Sequence, residues 1–206
     1  MTVRLHGLVA AGFLAPLAGC ATDGGTGRRY LAKYGAAAPD PAAFAVCWGY
    51  GCRREAAVDL GSEWDAIAES FAEPAANAEA ERRAIAAAVG AWERAVAAMT
   101  PIGHYRGGTF EGVGEVGQLD CVDEFINTTR VLVLLEAQGL LRFHRVKGAD
   151  SRGAFVFGWP HTSAVIADKA TGQRYAVDSW FHDNGAPAEI VPIEAWKSGW
   201  SPGDAT

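Results

Sequence analysis

The sequence predicts an α+β domain in which N-terminal helices and a cysteine-bearing helix pack on an antiparallel β-sheet. Three observations carry this. Apolar residues recur at helical spacing in segments near 63–71, 77–99 and 118–139. Strand-like stretches, rich in β-branched and aromatic residues, follow Leu140. Two of them flank Asp168-Lys169-Ala170-Thr171-Gly172, a hairpin turn ending in glycine, which makes those neighbours antiparallel.

The chain has 206 residues, half of them hydrophobic, with 7 Trp and 9 Phe. That is enough for one domain with a sizeable core. The net charge of −6, with Lys and Arg scattered, argues against nucleic acid as a partner.

The N-terminus reads as a targeting segment. Arg4 gives a short positive region, and Gly7 to Ala18 is apolar but too short to span a membrane. It ends in Leu17-Ala18-Gly19-Cys20, which resembles a bacterial lipobox. The resemblance implies a signal peptide over 1–19 and a lipidated Cys20 as the mature N-terminus. Ala21, rather than Asp, implies sorting to the outer membrane, so the domain faces the periplasm on a lipid anchor. Residues 20–45, rich in Ala, Gly, Pro and Thr, read as a flexible tether, and the domain proper as 46–206.

Export sorts the cysteines. Cys47 and Cys52 lie close together in CWGYGC, where an oxidising compartment favours a local disulfide. Two thiolates without a nearby His or third Cys ligate zinc poorly, so no metal is expected there. Cys121 is left unpaired.

Past the tether, Ala56 to Leu60 reads as a short strand. Ser62 reads as the N-cap of a helix over 63–71, which Pro74 breaks. Asn77 caps a longer helix running to about Met99, with Ile85, Val89, Trp92 and Val96 on one face. Pro101 stops it, and a glycine-rich loop over 102–117 shapes one wall of a cleft. No phosphate-loop pattern is present in it. Asp120 then caps the cysteine helix, and Gly139 ends it. Strands are expected at Leu140–Val146, Ala154–Phe157, Thr162–Ala167 and Arg174–Trp180, and one helical turn at Ile193–Trp196.

Cys121 falls in the first turn of its helix, where the peptide dipoles favour a thiolate. Asp120, Asp123 and Glu124 oppose this with negative charge. His161 opens the first hairpin strand and Asp178 lies near the end of the second. Both are about equally far from the turn, which makes them cross-strand neighbours. The expected catalytic residues are therefore Cys121 as nucleophile, His161 as general base and acid, and Asp178 as the group that orients the imidazole. Gln118 is a candidate oxyanion donor beside the Cys121 backbone N–H. His104, His144 and His182 are weaker candidates for the base. Trp159 and Trp180 are expected to wall the cleft.

DCVDEF on a helix, followed by PHTSAVIADKATGQRYAVDSW, resembles the transglutaminase-like branch of the papain-like cysteine enzymes. The resemblance covers Gln118 to Trp180. It implies a thiol enzyme that cleaves or transfers amide or peptide bonds through an acyl-enzyme, with no cofactor. The substrate would be a protein or peptide, peptidoglycan stem peptides included. The chain departs from the family pattern at Thr162 and Ser163, where an aromatic residue usually follows the histidine. It departs again at Ser179-Trp180, where a proline usually follows the aspartate. LDCVDEF also resembles the NlpC/P60 peptidoglycan peptidases, whose third residue is usually a second histidine. A non-catalytic binding or scaffold member of the fold is the remaining alternative.

Overall fold

A computed structural model describes residues 32, 39–109, 111–153 and 160–204. The expected signal peptide, Cys20, the strand at 154–157 and Trp159 lie outside the described residues. Among the described residues no helix is long and apolar enough to cross a membrane.

A four-stranded antiparallel sheet holds the C-terminal half together. Its strands are β3 (His144–Arg152), β4 (His161–Asp168), β5 (Arg174–Asp178) and β6 (Glu189–Pro192), side by side in chain order. A separate antiparallel ribbon pairs β1 (Phe44–Trp48) with β2 (Arg54–Val58). Among the described residues, α1 (Gly61–Ala68), α2 (Ala78–Ala97), α3 (Cys121–Ala137) and α4 (Ile193–Lys197) complete the α+β architecture.

Helix α3 is the centre of the molecule. Every residue from Asp123 to Leu135 is buried, the apolar ones in the core and the polar ones, Asp123, Glu124, Asn127, Thr128, Thr129 and Arg130, inside the protein with them. It packs on β4, β3 and β5 on one side and reaches β1 and α2 on the other. Leu132, Leu135, Val89, Trp92, Phe44, Ile166 and Val177 share this core. Polar residues of α3 fix the ribbon to it. Asn127 accepts from the Cys47 N–H at 2.9 Å and donates to the Cys47 carbonyl at 2.8 Å. Buried Arg130 donates to the Ala45 carbonyl at 2.9 Å and ion-pairs with Glu55.

The other face of the sheet carries a smaller core of Val165, Ala176, Val191, Ile193, Trp196 and Trp200. Side chains alternate across a strand. Ala164, Ile166 and Val177 therefore point to α3, whereas Val165 and Ala176 point to α4. His161 and Asp178 fall in the second register.

Several boundaries differ from the sequence expectation. Ser62 is not a cap, because α1 already begins at Gly61, whose N–H donates to Asp59 Oδ1 at 2.9 Å. The second strand sits at 54–58 rather than 56–60, because its register is set by β1. β1 itself begins at Phe44, preceded by a 3₁₀ turn at Pro41–Ala43, inside the span read as tether. β3 starts at His144, not Leu140. The buried Glu81 carboxylate collects the N–H groups of Arg142, Phe143 and His144 and holds the approach to the strand as a turn. Asn77 and Asp120 cap as expected, the latter in a reciprocal capping box with Asp123. Gly139 has the left-handed φ of +74° that ends a helix.

Candidate active site

His161 is the first residue of β4 and Asp178 the last of β5. They are not directly opposite. Ala164 pairs with Val177, and continuing that register puts Asp178 across from Ser163. His161 stands two residues from Ser163, so it shares Asp178's face as a diagonal neighbour, within reach of a long side chain. The imidazole closes the gap: His161 Nε2 lies 2.7 Å from Asp178 Oδ2.

Two further donors hold this carboxylate. The Trp196 indole N–H donates to Asp178 Oδ2 at 2.7 Å, and the Trp180 backbone N–H donates to Oδ1 at 3.2 Å. Asp178 is 2% exposed and His161 7%. The imidazole also packs against the rings of Trp180, Phe181 and Trp196, with centroids 5.0, 5.7 and 5.6 Å away. The ring is thus fixed on all sides but one. With Nε2 turned to the carboxylate, Nδ1 is the nitrogen left to exchange a proton with a neighbouring thiol.

Cys121 opens α3 on the other face of the sheet. The two faces meet where β4 begins, because the helix N-terminus comes level with the end of the strand. There Cys121 and His161 line one cavity of about 580 Å³ together with Asp120, Arg152, Trp180 and Phe181. Cys121 is partly exposed and is the free cysteine among the described residues. Ser179 ties the two layers together. Its hydroxyl donates to Glu124 and lies 3.1 Å from that of Thr128, both on α3. The residue after Asp178 is therefore anchored to the helix that carries Cys121, where the family pattern has proline.

The surroundings of Cys121 favour thiol over thiolate. Burial pushes the Cys121 pKa up, and the charges of Asp120 and Asp178 add to this. The backbone N–H groups of Thr162 and of Cys121 itself pull the other way and are outweighed. This corrects the expectation of a thiolate favoured by the helix N-terminus. The crowd of acids is smaller than the sequence suggested. Burial pushes Glu124 well above the usual carboxylate range and Asp123 up to about 6.

The disulfide Cys47–Cys52 closes the loop between β1 and β2, and that loop belongs to the site. Gly49, Tyr50, Gly51 and Cys52 all have positive φ, which is strained for Tyr50 and Cys52. The conformation turns their N–H groups onto the start of α3. Tyr50 and Cys52 donate to Asp123 at 2.8 and 2.6 Å, and Gly51 donates to Asp120 at 3.2 Å. Tyr50 then reaches the cavity wall.

Gln118 does not face the cavity. It is 4% exposed. Its amide donates to the Arg106 carbonyl at 3.0 Å and accepts from the Arg106 N–H at 3.3 Å. It fastens the glycine-rich loop instead of facing Cys121. Of the other histidines, His144 pairs with buried Glu81 and His182 with Glu189, both away from the cysteine. His104 ends an exposed 3₁₀ turn. Trp180 walls the cavity as expected.

Sequence reasoning missed Trp196, Arg152 and the acceptor role of Asp123. Trp196 lay at the end of the expected helical turn Ile193–Trp196, with nothing in the sequence to tie that turn to the site. Comparison with family models, with curated proteins and with solved structures found no match for this chain.

Proposed function

We propose that the protein is a thiol enzyme that opens an amide or peptide bond through a Cys121 acyl-enzyme, in the manner of transglutaminase-like cysteine enzymes. The observation that carries this reading is one cavity lined by a free cysteine at a helix N-terminus and by an imidazole whose far nitrogen is bound to a buried carboxylate. An aspartate as the third residue favours this family over the NlpC/P60 peptidases.

As the substrate carbonyl approaches, His161 Nδ1 takes the Cys121 proton while sulfur bonds to the carbonyl carbon. Asp178 stabilises the imidazolium through Nε2 and keeps the ring in register. The Cys121 backbone N–H donates to the oxygen that gains charge. His161 then returns its proton to the leaving nitrogen, the C–N bond breaks, and a thioester remains. Water or an amine attacks the thioester, His161 accepts the incoming proton, and the thiol is restored. Hydrolysis and acyl transfer share every step up to the thioester.

The compartment we propose is the periplasm, with the chain tethered to the outer membrane through lipid on Cys20. The Cys47–Cys52 disulfide supports an oxidising location. Cys20→Ala should then move the protein from the membrane fraction to the soluble periplasm, and an unchanged distribution would reject the anchor.

The catalytic reading is tested by trapping. Incubation with peptide thioesters or amides, acid quench and peptide mapping should find the acyl group on Cys121. The adduct should be absent in Cys121→Ser and greatly reduced in His161→Ala. Equal acylation of the wild type and His161→Ala would sink it.

A further inference from the structure

Arg152 ends β3 directly opposite His161, in the register Arg152 to His161. The two side chains therefore leave the sheet on the same face as near neighbours, with Cβ atoms about 5 Å apart. Arg152 lines the same cavity as Cys121.

Its guanidinium is held in place without an ion pair, with the charge of Asp178 acting on it through space. Nη1 donates to the carbonyls of Trp196 and Trp200 at 2.6 and 2.7 Å. The guanidinium carbon sits 4.7 Å from the Trp196 ring centre and 5.6 Å from that of Phe181. Neither contact supplies negative charge. The neighbouring cations differ: Arg174 and Lys197 both pair with Asp150, at 2.8 and 2.9 Å. Among the described residues Arg152 has no acid partner. The nearer acids are committed elsewhere, Asp178 to His161 and Trp196, and Asp120 to backbone N–H groups of the helix start and the disulfide loop. A half-buried guanidinium leaves its remaining N–H donors in a fixed fork, which matches a carboxylate.

We infer that Arg152 binds a carboxylate of the substrate, so that the cleft selects peptides carrying a free carboxylate close to the amide that Cys121 attacks. The inference rests on the catalytic reading above and adds its substrate class. The aromatic walls provided by Trp180 and Phe181 take the apolar part of the same substrate. Two sources of the carboxylate fit this chemistry, a chain-terminal α-carboxylate and an acidic side chain.

Three matched probes separate these outcomes: iodoacetyl-glycine, its neutral glycinamide analogue, and iodoacetyl-aspartic acid α-amide. All share one electrophile and differ in the presence and source of the carboxylate. Alkylation of Cys121 is followed by peptide mapping in the wild type, Arg152→Gln, Arg152→Lys and His161→Ala. The quantity read is the ratio of carboxylate to glycinamide rates within each variant, so a general loss of order cancels. The wild type should prefer at least one carboxylate probe by about tenfold or more, the scale of a charge-assisted pair. Arg152→Gln should reduce the ratio to about unity, and Arg152→Lys should retain part of it. Preference for the glycine probe assigns the α-carboxylate, and for the aspartate probe the side chain. Equal rates for all three probes in the wild type, or a preference that survives Arg152→Gln, overturn the role of Arg152 while leaving catalysis standing. Glycinamide labelling that is the same in the wild type and His161→Ala overturns the catalytic reading, and the substrate class with it.

Discussion

Trp196→Phe removes one hydrogen-bond donor from Asp178 and keeps most of an aromatic ring in place. The indole N–H donates to Asp178 Oδ2 at 2.7 Å, and both residues are almost completely buried. A hydrogen bond to a charged acceptor in such surroundings contributes about 1.5–3 kcal/mol. The smaller ring also leaves a void beside Val165 and Ile193, which adds about 1 kcal/mol. The substitution should therefore destabilise the protein by about 2.5–4 kcal/mol in denaturant unfolding. A double-mutant cycle isolates the hydrogen bond. In an Asp178→Asn background the acceptor is neutral and such a bond is roughly half as strong. Trp196→Phe should then cost less by about 1 kcal/mol or more, whereas the void contributes equally in both backgrounds. A coupling below about 0.5 kcal/mol, the scatter of independent sites, would refute the claim that this tryptophan braces the carboxylate.

Peptide mapping under non-reducing conditions should recover Cys47 and Cys52 in one cross-linked peptide. Reduction should cost about 2 kcal/mol, on the scale of a short closed loop. Separately alkylated cysteines would contradict the cross-link. Gly117 has φ of +91°, and a Cβ there would lie 1.9 Å from the Pro101 carbonyl oxygen. Gly117→Ala should therefore displace the glycine-rich loop that Gln118 fastens, read as faster tryptic cleavage after Arg106. Unchanged cleavage would show that the loop tolerates the methyl group.

Buried Glu93 predicts a pH dependence of stability. Burial pushes its carboxyl from the ordinary 4.5 up to about 8, against the Gly185 N–H, the Arg94 charge and Ser179. The folded state thus holds this proton more tightly than the unfolded state. Its contribution is complete below about pH 4.5 and is lost as pH rises to about 8, at up to roughly 1.4 kcal/mol per pH unit. Glu93→Gln should flatten this decline in urea midpoints, and an unchanged slope would contradict it.

The helices were legible because their signals are local. Asn77 and Asp120 are good caps, the apolar spacing of Ile85, Val89 and Trp92 has one period, and Gly139 stops α3 where the chain needs a left-handed residue. The hairpin turn at 168–172 put His161 and Asp178 near each other. It did not fix the register, which sets them diagonally, because an offset of two residues keeps every side chain on its face and leaves the sequence pattern unchanged. The first turn of α3 was read for charge, and its acids turned out to be acceptors for a loop some seventy positions earlier. No local pattern announces such a bond. Trp196 and Arg152 were missed for the same reason: each acts through the sheet face it shares with His161, and that face exists only once β3, β4 and β5 are paired. Gln118 was misjudged because adjacency in sequence to Cys121 says nothing about where a side chain turns.

We propose that His161, held by Asp178, controls the reactivity of Cys121. This control is tested most directly by the rate of Cys121 alkylation with iodoacetamide across a pH series, in the wild type, His161→Ala and Asp178→Asn. Burial and the charges of Asp120 and Asp178 raise the thiol pKa, so a thiol without help would react only at alkaline pH. The wild type should show an additional reactive limb below that alkaline range, because His161 accepts the thiol proton. His161→Ala should lose that limb and recover only as pH rises into the thiol's own titration. Asp178→Asn should weaken the limb without abolishing it. Superimposable profiles for all three proteins would contradict the account.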